Sequence, residues 1–386
     1  MPAGGGMTGK RRGHGEGSIY QLPDGRFRAA IDLGWSNGKR RRKYVTRRTR
    51  AEVVKALKEM TVLAETGRLA AQRVPTLAQW METYLSEVAS AKVRPSTLHR
   101  YREEVEHHIG PMLGRHRLDK LTPAHLTSFY RDRVTVLSVG SVRRMHANLR
   151  RALNVAVRWQ LIHINPAALV EPPSLPHVEV RPYSLAEARR FLKAVEGLRL
   201  EARWLIGIAL GLRQGEVLGL RWDDVDLAAG TLRVRGQLQR DPETGGLVFV
   251  ETKTARSRRT LPLPPTVLTA LLRHRERQAA ERFDADNWAD PGLVFATSVG
   301  TPIHPRNDYR SFRELIRRAG LRQVRLHDLR HTAASVLLSQ GVPARVVMEI
   351  LGHSQISVTL NIYAHVAPEI AREAASRLEG ALWSGE

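Results

Sequence analysis

Cysteine is absent from the 386 residues of the chain, which excludes disulfides, cysteine-ligated zinc sites and thiol nucleophiles. A chain without cysteine fits a reducing cytoplasm, and we expect it to act there. Long apolar runs are absent too. The longest, from Trp204 to Leu212, is well short of the roughly 18 residues that span a membrane and contains two glycines. No apolar signal segment is recognisable at the N-terminus, so a membrane partner is not expected.

Acidic residues are scarce relative to basic ones. The chain has 61 Lys and Arg against 38 Asp and Glu, which gives a formal net charge of +23 and a pI near 11.1. Such a chain is attracted to polyanions, and nucleic acid is the leading candidate. The hydrophobic content of 42% is ordinary for a globular protein, and the length predicts two or three domains.

Positive charge is densest at the N-terminal end, where residues 1–50 hold 13 Lys or Arg and 3 Asp or Glu. Residues 1–14 are glycine-rich and basic and predict a disordered arm. Residues 15–66 predict three short strands and then a helix whose N-cap is Thr49. Because a sheet can present cations to the major groove, we expect DNA contacts from Lys39, Arg40, Arg41, Arg42 and Lys43. The alternative is a solvated cationic turn that contacts nothing.

The rest of the chain predicts two further domains. Residues 67–74 resemble a linker, and residues 75–170 predict a bundle of about four helices, with N-terminal signals at Thr76, Pro95, Thr122 and either Ser138 or Ser141. The aromatic and methionine stripes of this bundle are interpreted as core. A proline-rich stretch in residues 171–180 predicts a second linker.

Residues 181–386 predict a mixed α/β domain. Apolar periodicity indicates helices over Leu185–Val195 and Trp204–Leu212, and a β-rich insert follows with strands over Thr231–Gln239, Gly246–Thr254 and Arg259–Leu263. Helices resume at Pro265. The predicted fold class is therefore multidomain and mainly α with small β elements.

Four short segments of this last domain carry residues that are suited to binding an anion. They are residues 211–216, 252–260, 327–331 and 351–353, and Tyr363 follows ten residues after His353. Arg213 and Arg330 can each offer a bidentate guanidinium to phosphate oxygens, and His353 adds a third donor. Glu216, three residues after Arg213, can hold that guanidinium from behind.

The remaining candidates supply proton transfer and a nucleophile. His327 and Arg330 are spaced to share one helix face. Lys253, at the return of the predicted hairpin, can reach a leaving oxygen, and Tyr363 can direct a phenol at a bound phosphate. Taken singly, each has a plainer interpretation, such as a surface ion pair, a core histidine or a core tyrosine. The argument rests on their combination in this order.

In that order, Arg213, Lys253, His327-Asp-Leu-Arg330, His353 and Tyr363 resemble the motif set of the tyrosine recombinase (phage integrase) family. The resemblance to the family's catalytic domain covers about residues 178–380. The bundle at 75–170 is similar to the core-binding domain, and residues 15–66 to the arm-binding domain of phage and integrative-element integrases, on weaker grounds.

The resemblance implies an active enzyme that cleaves and rejoins DNA. Tyr363 would attack a scissile phosphate to form a 3′-phosphotyrosyl bond and release a 5′-hydroxyl. Arg213 and Arg330 would stabilise the transition state, Lys253 would protonate the leaving oxygen, and His327 would accept the tyrosine proton. His353 would orient the phosphate, with Glu216 in support. No cofactor or metal is expected, because each step exchanges one phosphodiester for another.

The expected partners are double-stranded DNA at core and arm sites, three further copies in a homotetramer, and a host bending factor or an excisionase. The segment Ala367–Leu382 predicts a short amphipathic helix that docks on a neighbouring protomer or packs in cis. Three alternatives stay open at this stage. They are a non-catalytic regulator with a helix-turn-helix around Gln340–Pro343, a topoisomerase-like enzyme, and a recombinase for chromosome dimers.

Overall fold

The computed structural model describes residues 18–36, 39–65, 74–175, 181–251 and 258–352, with the isolated positions 375, 378–379 and 382–383. The chain divides into two compact units, Met1–Leu175 and Pro176–Glu386, and each is described by itself. The structure is mainly helical with small sheets, as the sequence predicts. The predicted arm at 1–14, most of the predicted linker at 67–74 and nearly all of the predicted C-terminal helix lie outside the described residues.

The N-terminal part of the first unit is an antiparallel sheet packed on one helix. Its elements are β1 (Ser18–Gln21), β2 (Phe27–Ser36), β3 (Lys39–Arg47) and α1 (Arg50–Glu65), and the strand order is β1-β2-β3. Ala29 and Ile31 of β2 are buried, as is Val53 of α1, so this face of the sheet meets the helix. The predicted N-cap is confirmed, since the Thr49 hydroxyl accepts from the Glu52 N–H at 3.3 Å.

Helices make up the rest of the first unit. They are α2 (Leu77–Thr83), α3 (Pro95–Glu104), α4 (Gly110–Leu113), α5 (Pro123–Arg133) and α6 (Val139–Arg158), with π-helical turns at Tyr84–Ala89 and Val105–Ile109. Thr76 and Thr122 cap α2 and α5 as predicted, and Ser138 rather than Ser141 caps α6. The stripes interpreted as core are buried, and the Trp80 indole donates to the Ala152 carbonyl at 3.1 Å.

The second unit combines helices with two small sheets. Its elements are α7 (Leu185–Val195), α8 (Glu201–Ala209), α9 (Gln214–Leu218), β4 (Val225–Asp226), β5 (Thr231–Val234), β6 (Gly236–Arg240), β7 (Leu247–Glu251), β8 (Arg259–Pro262), α10 (Pro265–Asp284), α11 (Pro305–Arg318), α12 (Asp328–Ser339) and α13 (Ala344–Leu351). Phe191, Ile206, Phe295 and Phe312 lie at the centre of its core.

Three predictions for this unit are wrong in detail. The strand predicted over Thr231–Gln239 is two strands in different sheets, because the order is β4-β5-β8 in one sheet and β6-β7 in the other. Gly236 makes the change of sheet possible, since a Cβ there would lie 2.4 Å from the Phe249 ring. It follows that β7 and β8, which flank Lys253, are not the two strands of one hairpin.

The helix predicted over Trp204–Leu212 ends early. It stops at Ala209, and Gly211 adopts the left-handed conformation with φ of +60°. Glycine takes this conformation without the steric cost that a side chain would add. The turn leads directly into Arg213 and α9, and it therefore sets where the predicted site begins.

Candidate active site

Arg213 and Glu216 form a reciprocal pair at the start of α9. Arg213 is the N-cap residue of this helix, and its backbone N–H donates to Oε2 of Glu216 at 3.0 Å. Its Nη1 donates to Oε1 of the same carboxylate at 2.8 Å. The guanidinium is therefore held through the carboxylate from one side, while 36% of the Arg213 side chain stays exposed.

A second guanidinium reaches the same carboxylate from β8. Arg259 donates from Nη2 to Oε2 of Glu216 at 2.9 Å, and its side chain is only 7% exposed. Burial by itself would raise the pKa of Glu216 and is the largest single influence on it. The Arg259 and Arg213 guanidiniums together outweigh burial and hold the pKa of Glu216 below its ordinary value. Glu216 is thus a buried carboxylate that stays ionised.

Arg330 joins this cluster from the first turn of α12. The residue is 2% exposed, and its Nη1 donates to the Gly211 carbonyl at 2.7 Å. The turn itself depends on the glycine, because a Cβ at Gly211 would lie 2.4 Å from Cδ2 of Leu351, whereas Cγ of Arg330 would be at an ordinary contact distance of 3.5 Å. A shift of the turn away from Leu351 would move the carbonyl that accepts from Arg330.

His327 is the N-cap residue of α12, with a helical backbone conformation, so it precedes Arg330 by just under one turn. Its ring contacts that of His331 edge to face, with ring centroids 5.2 Å apart. Desolvation, and then His331 and the guanidiniums of Arg330 and Arg213, lower the pKa of His327 to about 4. The imidazole is therefore neutral at physiological pH and can accept a proton.

The charge of the cluster also acts on Arg330. Burial, and then the Arg213 guanidinium, lower the pKa of Arg330 to about 9, which leaves it charged at neutral pH. Arg213 and Arg259 donate to the Glu216 carboxylate, and Arg330 interacts with it electrostatically, so the three guanidiniums leave an excess of positive charge. Such a cluster suits an anion with several oxygens, such as a phosphodiester.

The end of α13 closes the cluster. Gly352 terminates this helix with φ of +67°, and its carbonyl accepts from Nη2 of Arg213 at 3.1 Å. Two residues earlier, the Ile350 carbonyl accepts from Nε of Arg259 at 2.8 Å. Because Gly352 directly precedes His353, the chain enters the His353 position from a backbone that contacts both arginines.

The structure thus brings together four of the predicted site residues, Arg213, Glu216, His327 and Arg330. Lys253, His353 and Tyr363 lie outside the described residues, and their positions remain predictions. Within the ranges that the structure covers, no group of three or more His, Asp or Glu side chains is arranged to hold a metal ion. No helix in those ranges is long and apolar enough to cross a bilayer.

Sequence reasoning missed the residues that support the site from behind. Arg203 and Asp308 form a fully buried bidentate ion pair with two 2.6 Å contacts, and Gln214 donates to Asp308 at 2.8 Å. Because Gln214 adjoins Arg213, the pair fixes the start of α9. The sequence did contain a signal for Arg203, since an arginine in the apolar stretch of α8 needs a buried partner. The signal for Arg259 was weaker, because it is one of several cations in its segment.

Comparison with known proteins gives the same assignment over most of the chain. Residues 184–369 match the phage integrase family, and residues 76–132 match the N-terminal SAM-like domain of phage integrases. An integrase of Saccharopolyspora erythraea is 30% identical over 97% of this chain and 98% of its own length. A XerC-like tyrosine recombinase of Caldanaerobacter subterraneus is also 30% identical, over 89% and 93%.

Solved structures show the same fold. The Tn1549 transposon integrase, determined with a circular intermediate DNA, matches with a TM-score of 0.67 and 22% identity over 79% of this chain and 99% of that one. A lambda integrase tetramer bound to a Holliday junction matches with a TM-score of 0.56 and 16% identity over 92% and 96%. With the sequence relatives, these findings show that the chain belongs to the phage integrase family and is a tyrosine site-specific recombinase.

Proposed function

We propose that the chain is an integrase that cleaves and rejoins DNA through a 3′-phosphotyrosyl intermediate at Tyr363. The observation that carries the proposal is the convergence of Arg213 and Arg330 on one cluster beside a neutral His327. A bound phosphodiester would find two guanidinium forks there, and these would stabilise the charge of the pentacoordinate transition state. Removing one such donor typically costs roughly 10²–10³ in rate.

The proposal also assigns the proton transfers. A phenol with a pKa of about 10 needs a base near neutrality, and the low pKa of His327 keeps its imidazole able to accept the Tyr363 proton. Lys253 would protonate the 5′ oxygen as it leaves. His353, which follows Gly352, would bind and orient the phosphate. In the second step the 5′-hydroxyl of a partner strand attacks the phosphotyrosyl bond, so phosphodiester energy is conserved.

The basic face of α11 supports DNA binding next to this site. Four arginines share that exposed face at helical spacing, and they are Arg306, Arg310, Arg313 and Arg317. The Pro305 carbonyl at the start of α11 accepts from Gln214 at 2.8 Å, and Gln214 adjoins Arg213. A duplex lying along α11 would therefore reach the phosphate site.

The sheet of the N-terminal region supports the proposed contact with arm DNA and indicates which of its residues would make that contact. Strand pairing sets Arg28 opposite Thr46, Ala30 opposite Tyr44 and Asp32 opposite Arg42, on the face away from α1. Arg28 donates to Thr46 at 3.1 Å and lies over the Tyr44 ring. Lys43 pairs with buried Ile31 on the other face. Between Arg42 and Lys43, the two residues of the predicted run whose side chains the structure describes, Arg42 therefore better fits a DNA contact, together with Arg28 and Tyr44.

The proposal includes the domain layout and the partners. Residues 15–66 would bind arm DNA, 75–170 would bind core DNA and 181–386 would catalyse, with residues 67–74 and 171–180 as linkers. Joining two duplexes requires four strand cleavages, so a homotetramer would assemble on DNA, with a bending factor or excisionase setting direction. The enzyme would act at the nucleoid of a bacterial cytoplasm.

A nicked suicide duplex tests the chemistry. We expect the protein to form an SDS-resistant adduct with a 5′-end-labelled strand that carries its own attachment site. Tyr363→Phe should abolish the adduct and leave DNA binding intact, whereas the control Tyr309→Phe, at an exposed position on α11, should retain it. An adduct from Tyr363→Phe would show that another residue is the nucleophile. The absence of any wild-type adduct at a verified site would contradict the proposal.

Deletion tests the domain layout. Removal of residues 1–66 should spare cleavage of a core site and weaken integration at least tenfold, because only the arm contacts would be lost. Unchanged integration would contradict the arm-binding role.

A further inference from the structure

We infer that Arg259 is a positioning residue that holds Glu216, and through it Arg213, against the end of α13 during strand cleavage. The inference rests on the proposed function of the site, since it concerns the same phosphate-binding arginine. Arg259 belongs to β8, whereas Glu216 and Arg213 belong to α9 and its N-cap. Its role is therefore to join elements that are far apart in the chain.

The contacts of Arg259 form a closed ring. Its Nη2 donates to Oε2 of Glu216 at 2.9 Å and its Nε donates to the Ile350 carbonyl at 2.8 Å. The other oxygen of Glu216 accepts from Nη1 of Arg213, and Nη2 of Arg213 donates to the Gly352 carbonyl. Two guanidiniums thus connect one carboxylate to two carbonyls of the same helix end. A shift of either arginine would displace the other.

The fit around Arg259 requires a guanidinium. A Cβ at Gly352 would lie 2.9 Å from Nη1 and 3.2 Å from Cζ of Arg259, so the left-handed glycine leaves the space through which the side chain passes. A lysine ammonium is a single point donor and lacks the planar fork that addresses a carboxylate and a carbonyl together. An Arg259→Lys variant keeps the positive charge and loses this geometry.

The contact between Arg259 and Glu216 matters because of where β8 lies in the chain. β8 begins directly after the segment that contains Lys253, and β5 holds β8 through the pair Val234 and Arg259. The other sheet approaches α9 as well, because a Cβ at Gly215 of α9 would lie 2.8 Å from the Leu238 carbonyl oxygen of β6, and β6 pairs with β7. Both sheets that flank this segment therefore contact α9, and Arg259 makes the contact on the β8 side.

Kinetics of the suicide duplex test the inference. For full-length Arg259→Lys we expect the adduct to form about 10–100 times more slowly, because a displacement of about 1 Å can cost that much, with DNA affinity within about threefold of wild type. Arg233→Lys is the matched control, since Arg233 is an exposed residue of the neighbouring strand β5, and it should cleave at the wild-type rate. Wild-type kinetics for a folded Arg259→Lys would overturn the inference and leave the proposed function intact.

A double-mutant cycle separates positioning from general structural support. If Arg259 acts through Glu216, the variant Glu216→Gln/Arg259→Lys should be no slower than the slower single variant. Multiplicative losses would overturn the inference. A duplex with a neutral methylphosphonate at the scissile position gives a second readout, because Arg213 has less charge to stabilise there. The Arg259→Lys defect should shrink at least fivefold on it, and an equal defect on both duplexes would contradict positioning. If Arg259→Lys does not fold, Arg259→Gln takes its place in both tests.

Discussion

Substitution of Gly211 by alanine tests how much the left-handed turn before Arg213 contributes to the stability of the site. Its φ of +60° is left-handed, and we expect Gly211→Ala to cost about 1–2 kcal/mol in backbone strain alone. The new Cβ would lie 2.4 Å from Leu351 and 3.3 Å from the Ala333 Cβ, and overpacking of this kind adds about 1–3 kcal/mol. The expected total loss of unfolding free energy is therefore about 2–5 kcal/mol.

Gly197 is the matched control for this substitution. It lies in the same unit with φ of +71°, and nothing is within 4 Å of a Cβ built there. Gly197→Ala should therefore cost only the strain of about 1–2 kcal/mol. Urea unfolding of the second unit, followed by tryptophan fluorescence, measures both variants.

Cleavage distinguishes the two glycines further. The Gly211 carbonyl accepts from Arg330, and a turn that shifts to relieve the contact with Leu351 would move this acceptor. Gly211→Ala should therefore slow adduct formation by at least tenfold, while Gly197→Ala leaves it unchanged. If the two variants lose the same stability and keep the same rate, the turn at Gly211 does not position Arg330.

Three further predictions concern single residues. First, the pKa of His327 is lowered to about 4, so its ring becomes protonated and loses its role as a proton acceptor only near that pH. The value of kcat/KM should therefore stay nearly constant from pH 7 to pH 5. An acid limb near pH 6.5 would contradict this. Second, Asp308→Asn should destabilise the unit by about 3–5 kcal/mol in urea unfolding because it leaves Arg203 buried without its carboxylate. Glu349→Gln in an exposed pair should cost less than about 1 kcal/mol, and equal losses would refute the argument. Third, Tyr44→Ala should weaken arm-DNA binding at least tenfold in gel shifts, whereas Lys55→Ala on α1 should not. Equal effects of the two substitutions would show that the sheet face away from α1 is not the DNA-binding surface.

Helix starts could be predicted because their causes are local. Thr76, Thr122 and Ser138 each accept a backbone N–H from a residue three positions on, and that information lies within four residues of sequence. Arg213, Glu216, His327 and Arg330, which the structure brings together, could be chosen from their order along the chain, and the roles assigned to them stay predictions. Their contacts could not, since the Arg330 partner is a carbonyl 119 positions away.

Strand pairing and the buried supports depended on distant packing. Thr231–Gln239 has the composition of one strand, and only the Phe249 ring beside Gly236 shows why the chain changes sheets there. Arg259 could not be singled out among neighbouring cations, because its distinction is burial against Glu216. The residues that support a site are of the same types as residues that face solvent. Only the folded structure shows which of them are buried against the site.

The electrostatics of the site connect its unliganded state with its function. In the absence of DNA, burial and mutual repulsion lower the pKa of both Arg330 and His327. A phosphodiester bound at the cluster would bring negative charge, so it must raise the pKa values of Arg330 and His327. Because the coupling between proton binding and phosphate binding is reciprocal, protonation of His327 must in turn tighten phosphate binding. On the proposed mechanism, His327 would take the Tyr363 proton while the phosphate gains charge, so the imidazolium would form beside an anion that offsets the repulsion of the guanidiniums. The cluster would keep His327 neutral before DNA binds, and the bound phosphate would stabilise its protonated form afterwards, ready to return the proton in the second step.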